Sequence, residues 1–272
     1  MIRSISIPIF FVISIIGCLV ACEEAVEWEF QEGENGVLVV DAVLTNEFIQ
    51  QQLRLSLSYD QLNGEAPPVT DAIVSVTANG VAYFFAPVQG DPGLYESTLP
   101  FAVFDDLTYE LEINWEGQRY TASSELSEVA PFPEISFLPF EDTDSLFFGA
   151  FAPIYNANQQ AMYEMNVDWT HLNGDEDSRA KLLFFTFSTI NTGGLVRPAG
   201  DTISFPKGSI VTAKKYGLND DFADYLRALA LETSWRGSVF YGPAANLPTN
   251  LSGGALGFFS TCAVLTDTLI AQ

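Results

Sequence analysis

The single histidine, His171, carries an imidazole that could act as a general base in catalysis. A Ser-His-Asp or Cys-His catalytic arrangement would have to use it. It stands in a polar segment beside the turn residues Asn173 and Gly174, and no nucleophile-elbow motif accompanies it. We therefore expect an exposed histidine and no nucleophilic catalysis of this type.

Two acidic segments, Asp175–Asp177 and Glu141–Asp144, carry the hard oxygen ligands that Ca²⁺ prefers. Neither has the spacing of an EF-hand loop, so we interpret both as solvated loops, with calcium binding as the alternative. The sequence has no His/Cys spacing typical of a metal site and no glycine motif that would hold phosphate after a strand. No cofactor is implied, and we expect a protein that is not an enzyme.

Cys262 stands in an apolar run, residues 258–265, that is typical of a buried strand. We interpret it as a small core residue, and the alternative is a reactive thiol. The other two cysteines, Cys18 and Cys22, lie close to the N-terminus.

An apolar segment at the N-terminus leads into Cys22. Arg3 gives a short positive region and residues 5–16 an apolar core, which is the layout of a secretory signal and is too short to span a membrane. The tripeptide Leu19–Ala21 before Cys22 resembles the lipobox of bacterial lipoproteins. In that class the cysteine thiol is acylated, cleavage makes it the new N-terminus, and the acyl chains anchor the protein. Cys18 offers a second box, but more apolar chain follows it.

This resemblance predicts a signal peptide over residues 1–21, a lipid anchor on Cys22 and an acidic tether over residues 22–35. If Cys22 is acylated, Cys262 has no intramolecular partner and the fold has no disulfide framework. The acidic residues after Cys22 resemble the surface-export signal of Bacteroidota lipoproteins, with a solvated tether as the alternative. They are Glu23, Glu24, Glu27 and Glu29.

Acidic residues dominate the charge of the chain, with 35 acidic against 11 basic residues and a formal net charge of −24. Such a field repels phosphate backbones, so we expect no nucleic-acid binding. It also disfavours adsorption to anionic headgroups, which leaves the lipid as the membrane attachment. The hydrophobic fraction of 48 % indicates a packed core.

Strand patterns begin at Gly36, with period-two alternation and closely spaced turn residues such as Asn79–Gly80, Asp91–Gly93 and Glu116–Gly117. They predict an antiparallel β-sandwich of about seven strands over residues 36–130. The motifs Asp71-Ala72-x-Val74-x-Val76 and Gly93-x-Tyr95 resemble Ig-like or transthyretin-like modules of bacterial surface proteins. Such modules are spacers and binding platforms more often than enzymes.

Beyond the stiff segment Pro131–Pro133 we predict a second, β-rich domain over residues 131–272. Strands are expected over residues 162–169 and 181–187, and over 202–215 with a break at 206–208. One amphipathic α-helix is expected near residues 220–233, capped by Asn219 or Asp220 and packed on the second sheet. The predicted fold class is thus mostly β: an N-terminal Ig-like/transthyretin-like β-sandwich followed by a β-rich domain with one helix.

Adjacent phenylalanines recur along the predicted strands. Neighbours on a strand point to opposite faces, so one ring of each pair faces the core. We expect the neighbouring domain or the helix to cover the other ring, with an apolar partner surface as the alternative. The pairs are Phe84–Phe85, Phe147–Phe148, Phe184–Phe185 and Phe258–Phe259.

A loop rich in proline, asparagine and glycine enters the last apolar strand, and residues 242–259 read GPAANLPTNLSGGALGFF. Asparagine and glycine suit positive φ, and Gly257 lets a neighbour approach closely. This run resembles the closing motif of a Bacteroidota outer-membrane lipoprotein family, domain of unknown function 4249. That family likewise begins with a lipobox, acidic residues and an Ig-like sandwich. We interpret the motif positions Asn246, Asn250, Gly253 and Gly254 as structural.

The resemblance implies a lipid-anchored protein of the outer membrane, exposed at the cell surface, whose relatives are encoded beside TonB-dependent transporters. It implies no catalytic residues. The leading hypothesis is an accessory or binding protein that partners such a transporter in nutrient uptake and takes a small-molecule or peptide ligand. The alternatives are a structural fimbrial or adhesin-type subunit and, third, a secreted hydrolase with paired carboxylates.

Overall fold

The computed structural model describes residues 36–59, 64–140, 144–149, 155–173, 178–189, 203–233 and 247–272 of the 272-residue chain. They form three β-sheets and two helices, so the predicted mostly β fold is confirmed. The predicted signal peptide and tether, and the acidic residues at 141–143 and 175–177, lie outside the described residues.

The first sheet has eight strands in the spatial order β14-β1-β2-β5-β4-β3-β6-β7. Its strands are β1 (Leu38–Thr45), β2 (Gln52–Leu57), β3 (Ile73–Ala78), β4 (Val81–Pro87), β5 (Leu94–Ser97), β6 (Thr108–Trp115), β7 (Gln118–Glu125) and β14 (Leu256–Cys262). Burial alternates along β1, where the buried Leu38, Val40, Ala42 and Leu44 all point to one side, whereas β14 is buried on both faces. The apolar core of the sheet lies on that side.

Two tight turns connect antiparallel strands of the first sheet in the predicted places. Asn79–Gly80 joins β3 to β4, and Glu116–Gly117 joins β6 to β7. All four residues have positive φ, between 46° and 77°, which is the backbone of a type I′ turn. Asparagine and glycine tolerate this conformation, and Glu116 adopts it beside Gly117, so both dipeptides form two-residue hairpin turns.

The eight-stranded sheet curls until its two edge strands, β14 and β7, approach each other. The side chain of Asn250 bridges them: its Nδ2 donates to the carbonyls of Phe259 (2.7 Å) and Ser123 (3.3 Å), and its Oδ1 accepts from the Phe259 amide at 3.0 Å. Ser252 adds a main-chain bond to the carbonyl of Thr121 at 2.8 Å. The sheet is therefore nearly closed, and this arrangement gives no clear assignment to the Ig-like class.

β14 pairs with β1 in parallel, with Gly257 opposite Val40 and Phe259 opposite Ala42. Gly257 has a φ of +92°, and a Cβ there would lie against the main-chain carbonyl oxygen of Val40. Only glycine allows both the conformation and the close approach. β14 therefore packs closely along β1, which lies more than 200 residues earlier in the sequence.

The second and third sheets pack face to face. The second has the order β11-β10-β13-β15, and the third has the order β12-β9-β8. Aromatic rings of the third sheet, among them Phe148 and Phe205 with centroids 5.1 Å apart, cover one face of the second sheet. The strands are β8 (Phe137–Pro139), β9 (Ser145–Phe148), β10 (Ala161–Asp168), β11 (Arg179–Thr186), β12 (Phe205–Pro206), β13 (Ile210–Gly217) and β15 (Val264–Ile270).

Two helices complete the fold, α1 (Thr170–Asn173) and α2 (Asp220–Thr233). α2 matches the predicted helix, and Asn219 caps it by accepting a hydrogen bond from the Phe222 amide at 2.8 Å. Its apolar face, however, contacts both the second sheet and Phe258 on the outer face of β14. The expected packing of α2 on the second sheet is therefore observed, and α2 additionally covers the outer face of β14.

The phenylalanine pairs point to opposite faces, as predicted. Phe259 lies in the first core while Phe258 lies under α2, and Phe148 and Phe184 meet between the second and third sheets. The ring of Phe84 is not covered: 57 % of its surface is exposed, whereas its neighbour Phe85 is buried.

The predicted domain boundary near residue 130 remains a prediction. Residues Glu34–Gln272 form one unit, in which β14, from the predicted second domain, completes the first sheet. Nearby, Ser127 exchanges main-chain hydrogen bonds with Thr261 and Ala263 at 3.1 and 2.9 Å. Strand pairing of this kind ties the two halves of the chain together.

We expect Gly257→Ala to destabilise the protein far more than Gly254→Ala. Both glycines have positive φ, +92° and +79°, so both substitutions carry a backbone strain of about 1–2 kcal/mol. Only at position 257 would the new Cβ meet Val40, while nothing lies within 4 Å at position 254. Urea unfolding should show a loss of about 1–2 kcal/mol for Gly254→Ala and of more than about 4 kcal/mol for Gly257→Ala. Equal losses would contradict the close approach of β1 and β14.

Candidate binding cleft

A cleft of about 780 Å³ lies between the outer face of the first sheet and the second sheet, with α2 as a third wall. Its floor is the side of β1 and β2 that faces away from the core. Because side chains alternate along a strand, Val39, Asp41 and Val43 point to this side while their neighbours fill the core. The floor of the cleft is therefore formed by the side chains that strand alternation directs away from the core.

Asp41 and Arg54 stand opposite each other on the floor of the cleft, as register partners of β1 and β2. The Arg54 guanidinium is engaged elsewhere: its two terminal nitrogens each donate to one carboxylate oxygen of Asp91 at 3.0 Å. Hydrogen bonding to Arg54 holds the pKa of Asp91 below its ordinary value. Arg54 is thus committed to Asp91 and acts on Asp41 only through its field.

The wall from the second sheet is polar and ion-paired. Glu164 on β10 accepts hydrogen bonds from Asn166 at 2.7 Å and pairs with Lys181 on β11 at 3.0 Å. Burial disfavours the charged form of Glu164, but these two partners outweigh it and its pKa is lowered. The carboxylate is therefore ionised and held in place.

The loop between β1 and β2 closes one end of the cleft. Buried Gln51 holds this loop, because its amide contacts the main chain of Thr45, Glu47 and Phe101 at 2.9–3.0 Å. Glu47 then reaches across to Lys214 on β13 at 3.1 Å. The loop is thereby tied to the second sheet.

Aromatic rings from α2 and β14 form the third wall. Phe222 and Tyr225 of α2 each lie with their ring centroids 5.2 Å from that of Phe258. Tyr225 is half-buried at the cleft surface, whereas Phe222 and Phe258 are buried. Burial, and after it the charge of Asp41, raises the pKa of Tyr225, so its hydroxyl stays protonated.

Asp41 differs from the other carboxylates of the cleft. It makes no hydrogen bond or ion pair with any residue that the structure describes. Its side chain is open to water in the cleft, yet the surrounding protein removes enough solvent to raise its pKa, against the opposing field of Arg54. An ionisable group in this setting is a candidate for ligand binding.

The residues considered for catalysis lie away from this cleft. His171 is exposed on the short helix α1, in place of the expected open turn, and its Nε2 lies 3.1 Å from the Gly208 carbonyl oxygen. Cys262 is fully buried beneath α2, as predicted for a core residue. Within the described ranges, no group of three or more His, Cys, Asp or Glu side chains could hold a metal ion.

The described family-motif positions, Asn250, Gly253 and Gly254, lie in the loop before β14 and do not line the cleft. Asn250 bridges β14 and β7, and Gly253 has a φ of +71° with the Tyr120 ring 2.8 Å from where a Cβ would stand. Gly254 also has positive φ. Asn246, like the predicted lipidation site Cys22, lies outside the described residues.

Sequence reasoning did not identify Asp41, Glu164 or Tyr225 as candidate site residues. One local signal was present for Asp41, a single charged residue in the middle of the apolar strand LVVDAVLT. Asp41 comes close to α2 and the second sheet only through long-range contacts, which no local sequence pattern indicates.

Within the part of the chain that the structure covers, no helix has the length and apolar character needed to cross a membrane. The fold is that of a mostly β protein with an open cleft between the first sheet, the second sheet and α2. Residues 23–268 match the model of the domain of unknown function DUF4249, and the chain belongs to this family. No curated protein matches it.

We expect Cys262 to resist thiol reagents in the folded protein. Burial raises its pKa from 9.0 to about 12, so the reactive thiolate is scarce and inaccessible. In a Cys18→Ala, Cys22→Ala chain, where Cys262 is the one remaining thiol, a disulfide reagent at about pH 8 should label it only after urea unfolding. Rapid labelling of the folded chain would contradict this.

The raised pKa of Cys262 also predicts how the free energy of unfolding depends on pH. The unfolded thiol ionises near 9.0 and the folded one near 12, so the folded state binds the proton more tightly. The contribution of Cys262 to the free energy of unfolding is complete below pH 9.0 and declines towards pH 12. Cys262→Ala should remove this part of the decline in urea unfolding.

Proposed function

We propose that this protein is a lipid-anchored binding module of the bacterial outer membrane that works beside a TonB-dependent transporter in nutrient uptake. The observation that carries the proposal is the cleft of about 780 Å³. Its volume lies in the range of small-molecule sites, and its lining combines apolar side chains with a few placed polar groups. A small molecule or a short peptide fits such a site.

The construction of the cleft supports binding rather than chemistry. Its cations are held in ion pairs, and the histidine and the buried cysteine lie outside it. The walls are strands and a helix, fixed by the cores on either side. A site with rigid walls loses little conformational entropy when a ligand enters.

Anchoring rests on the lipobox-like sequence before Cys22. An acidic tether over residues 22–35 would span at most roughly 45 Å, enough to hold the body beside a membrane-embedded partner. The net charge of −24 favours attachment through the lipid, because anionic headgroups repel the body. Bacteroidota origin and export to the cell surface are part of the same proposal.

The fimbrial alternative requires a strand that passes between subunits. In this protein β14 pairs along its length with β1 and is bridged to β7 by Asn250. A strand held on both sides is a poor candidate for donation to another subunit. The accessory-protein hypothesis is therefore the stronger of the two.

We expect Cys22→Ala to abolish membrane anchoring, because it removes the thiol that would be acylated. The variant should leave the detergent-rich phase on detergent phase separation and lose incorporation of labelled palmitate. Cys18→Ala is the matched control and should keep both. The reverse pattern would place the anchor on Cys18, and retention in both variants would contradict anchoring through either cysteine.

We expect a large transporter to co-purify with the protein from native membranes in mild detergent. An affinity tag inserted at residues 175–177 keeps the lipidated N-terminus intact, and Cys22→Ala provides the unanchored control. Recovery of a TonB-dependent transporter in near-equal amount supports the proposal. A ladder of self-associated subunits would favour the fimbrial alternative, and a monomer alone would contradict both.

A further inference from the structure

We propose that the cleft recognises an organic cation, with an ammonium or guanidinium group placed against Asp41 and an apolar body along the neighbouring walls. This inference rests on the proposed binding function and names the chemistry of its ligand. The cation can be the side chain of a basic peptide residue or a free alkylamine, since both present the same group.

The balance of charge in the cleft is the first argument. Each cationic side chain of the lining already has a carboxylate partner: Arg54 with Asp91 at 3.0 Å, Lys181 with Glu164 at 3.0 Å, and Lys214 with Glu47 at 3.1 Å. Asp41 is a further carboxylate of the lining, and no described residue pairs with it. A cationic ligand would supply the missing partner, whereas an anion would have to displace a carboxylate from one of the three pairs.

The surroundings of Asp41 suit a cation with an apolar body. Phe258 is its register neighbour on β14, and Tyr225 on α2 lies close enough for the charge of Asp41 to raise its pKa. Tyr225 is half-buried and lines the cleft, and aromatic rings attract cations. Beyond it, Val43, Leu183 and Leu229 provide apolar surface for the remainder of the ligand.

Desolvation adds to the case. Partial removal of water from Asp41 makes its charge costly in the empty cleft, so a cation that restores a partner gains more there than at an exposed carboxylate. The net charge of −24 draws cations towards the protein from a distance. Local geometry and the long-range field therefore favour the same class of ligand.

The test compares matched probes by calorimetric titration of the full-length lipidated protein in detergent. The peptide probes are three N-acetyl dipeptide amides, phenylalanyl-lysine, phenylalanyl-norleucine and phenylalanyl-glutamate, whose second side chain is cationic, neutral or anionic respectively. The non-peptide probes are hexylamine and hexanol. We expect the lysine peptide to bind about tenfold more tightly than the norleucine peptide, and the glutamate peptide to bind least.

Three variants locate this preference. Asp41→Asn should abolish it, whereas Asp41→Glu, which keeps the charge, should retain it. Glu110→Gln on β6, an exposed residue outside the cleft, removes the same charge from the protein and should leave the preference unchanged. Circular dichroism of each variant checks that the fold is kept.

Several outcomes would overturn the inference. They are equal binding of the lysine and norleucine peptides, tighter binding of the glutamate peptide, an undiminished preference in Asp41→Asn, and no binding of any probe. None of these outcomes changes the result of the co-purification experiment. The cation site and the partnership with a transporter are therefore tested independently. If hexylamine binds as tightly as the lysine peptide, the natural ligand is a free amine; if the peptide binds more tightly, it is a basic peptide.

Discussion

The parallel pairing of β1 with β14 is the contact on which the rest of this structure depends. It requires Gly257 at a φ of +92°, because any Cβ would strike the main chain of Val40. Once β14 is in place, its two faces serve different layers: Phe259 enters the core of the first sheet, and Phe258 receives the rings of α2. Asn250 then joins the outer edge of β14 to β7. One strand thus closes a sheet, completes a core and positions a helix.

The cleft follows from this arrangement, since its floor and one wall are the outer faces of β1 and β14. The ion pairs at its surface are partly exposed and contribute little to stability. Their effect is to orient the charged groups, and the pair with Asp91 takes up Arg54, the cation that stands opposite Asp41. Strand alternation places Asp41 among apolar residues, and the neighbouring pairs leave its charge available to a ligand.

Local features of this protein could be predicted from its sequence, and long-range ones could not. Asn79–Gly80 and Glu116–Gly117 form the expected turns, and Asn219 caps α2, because turn and cap chemistry acts over a few residues. Alternation indicated strands over residues 36–125 without showing whether they would stack as a sandwich or curl into one nearly closed sheet. The return of β14 to β1 leaves only a weak local signal, a glycine within an apolar run, so the cleft that depends on this pairing was not foreseen.

The order of the strands also has a kinetic consequence. β14 and β15, which stand near the end of the chain, complete the first and second sheets respectively. Neither sheet can be completed until these two strands have emerged, and the loop that must close between β1 and β14 exceeds 200 residues. Such long-range parallel pairing forms slowly. A chain threaded through a membrane before it folds, as the proposed export requires, would have neither sheet complete until β14 and β15 have crossed.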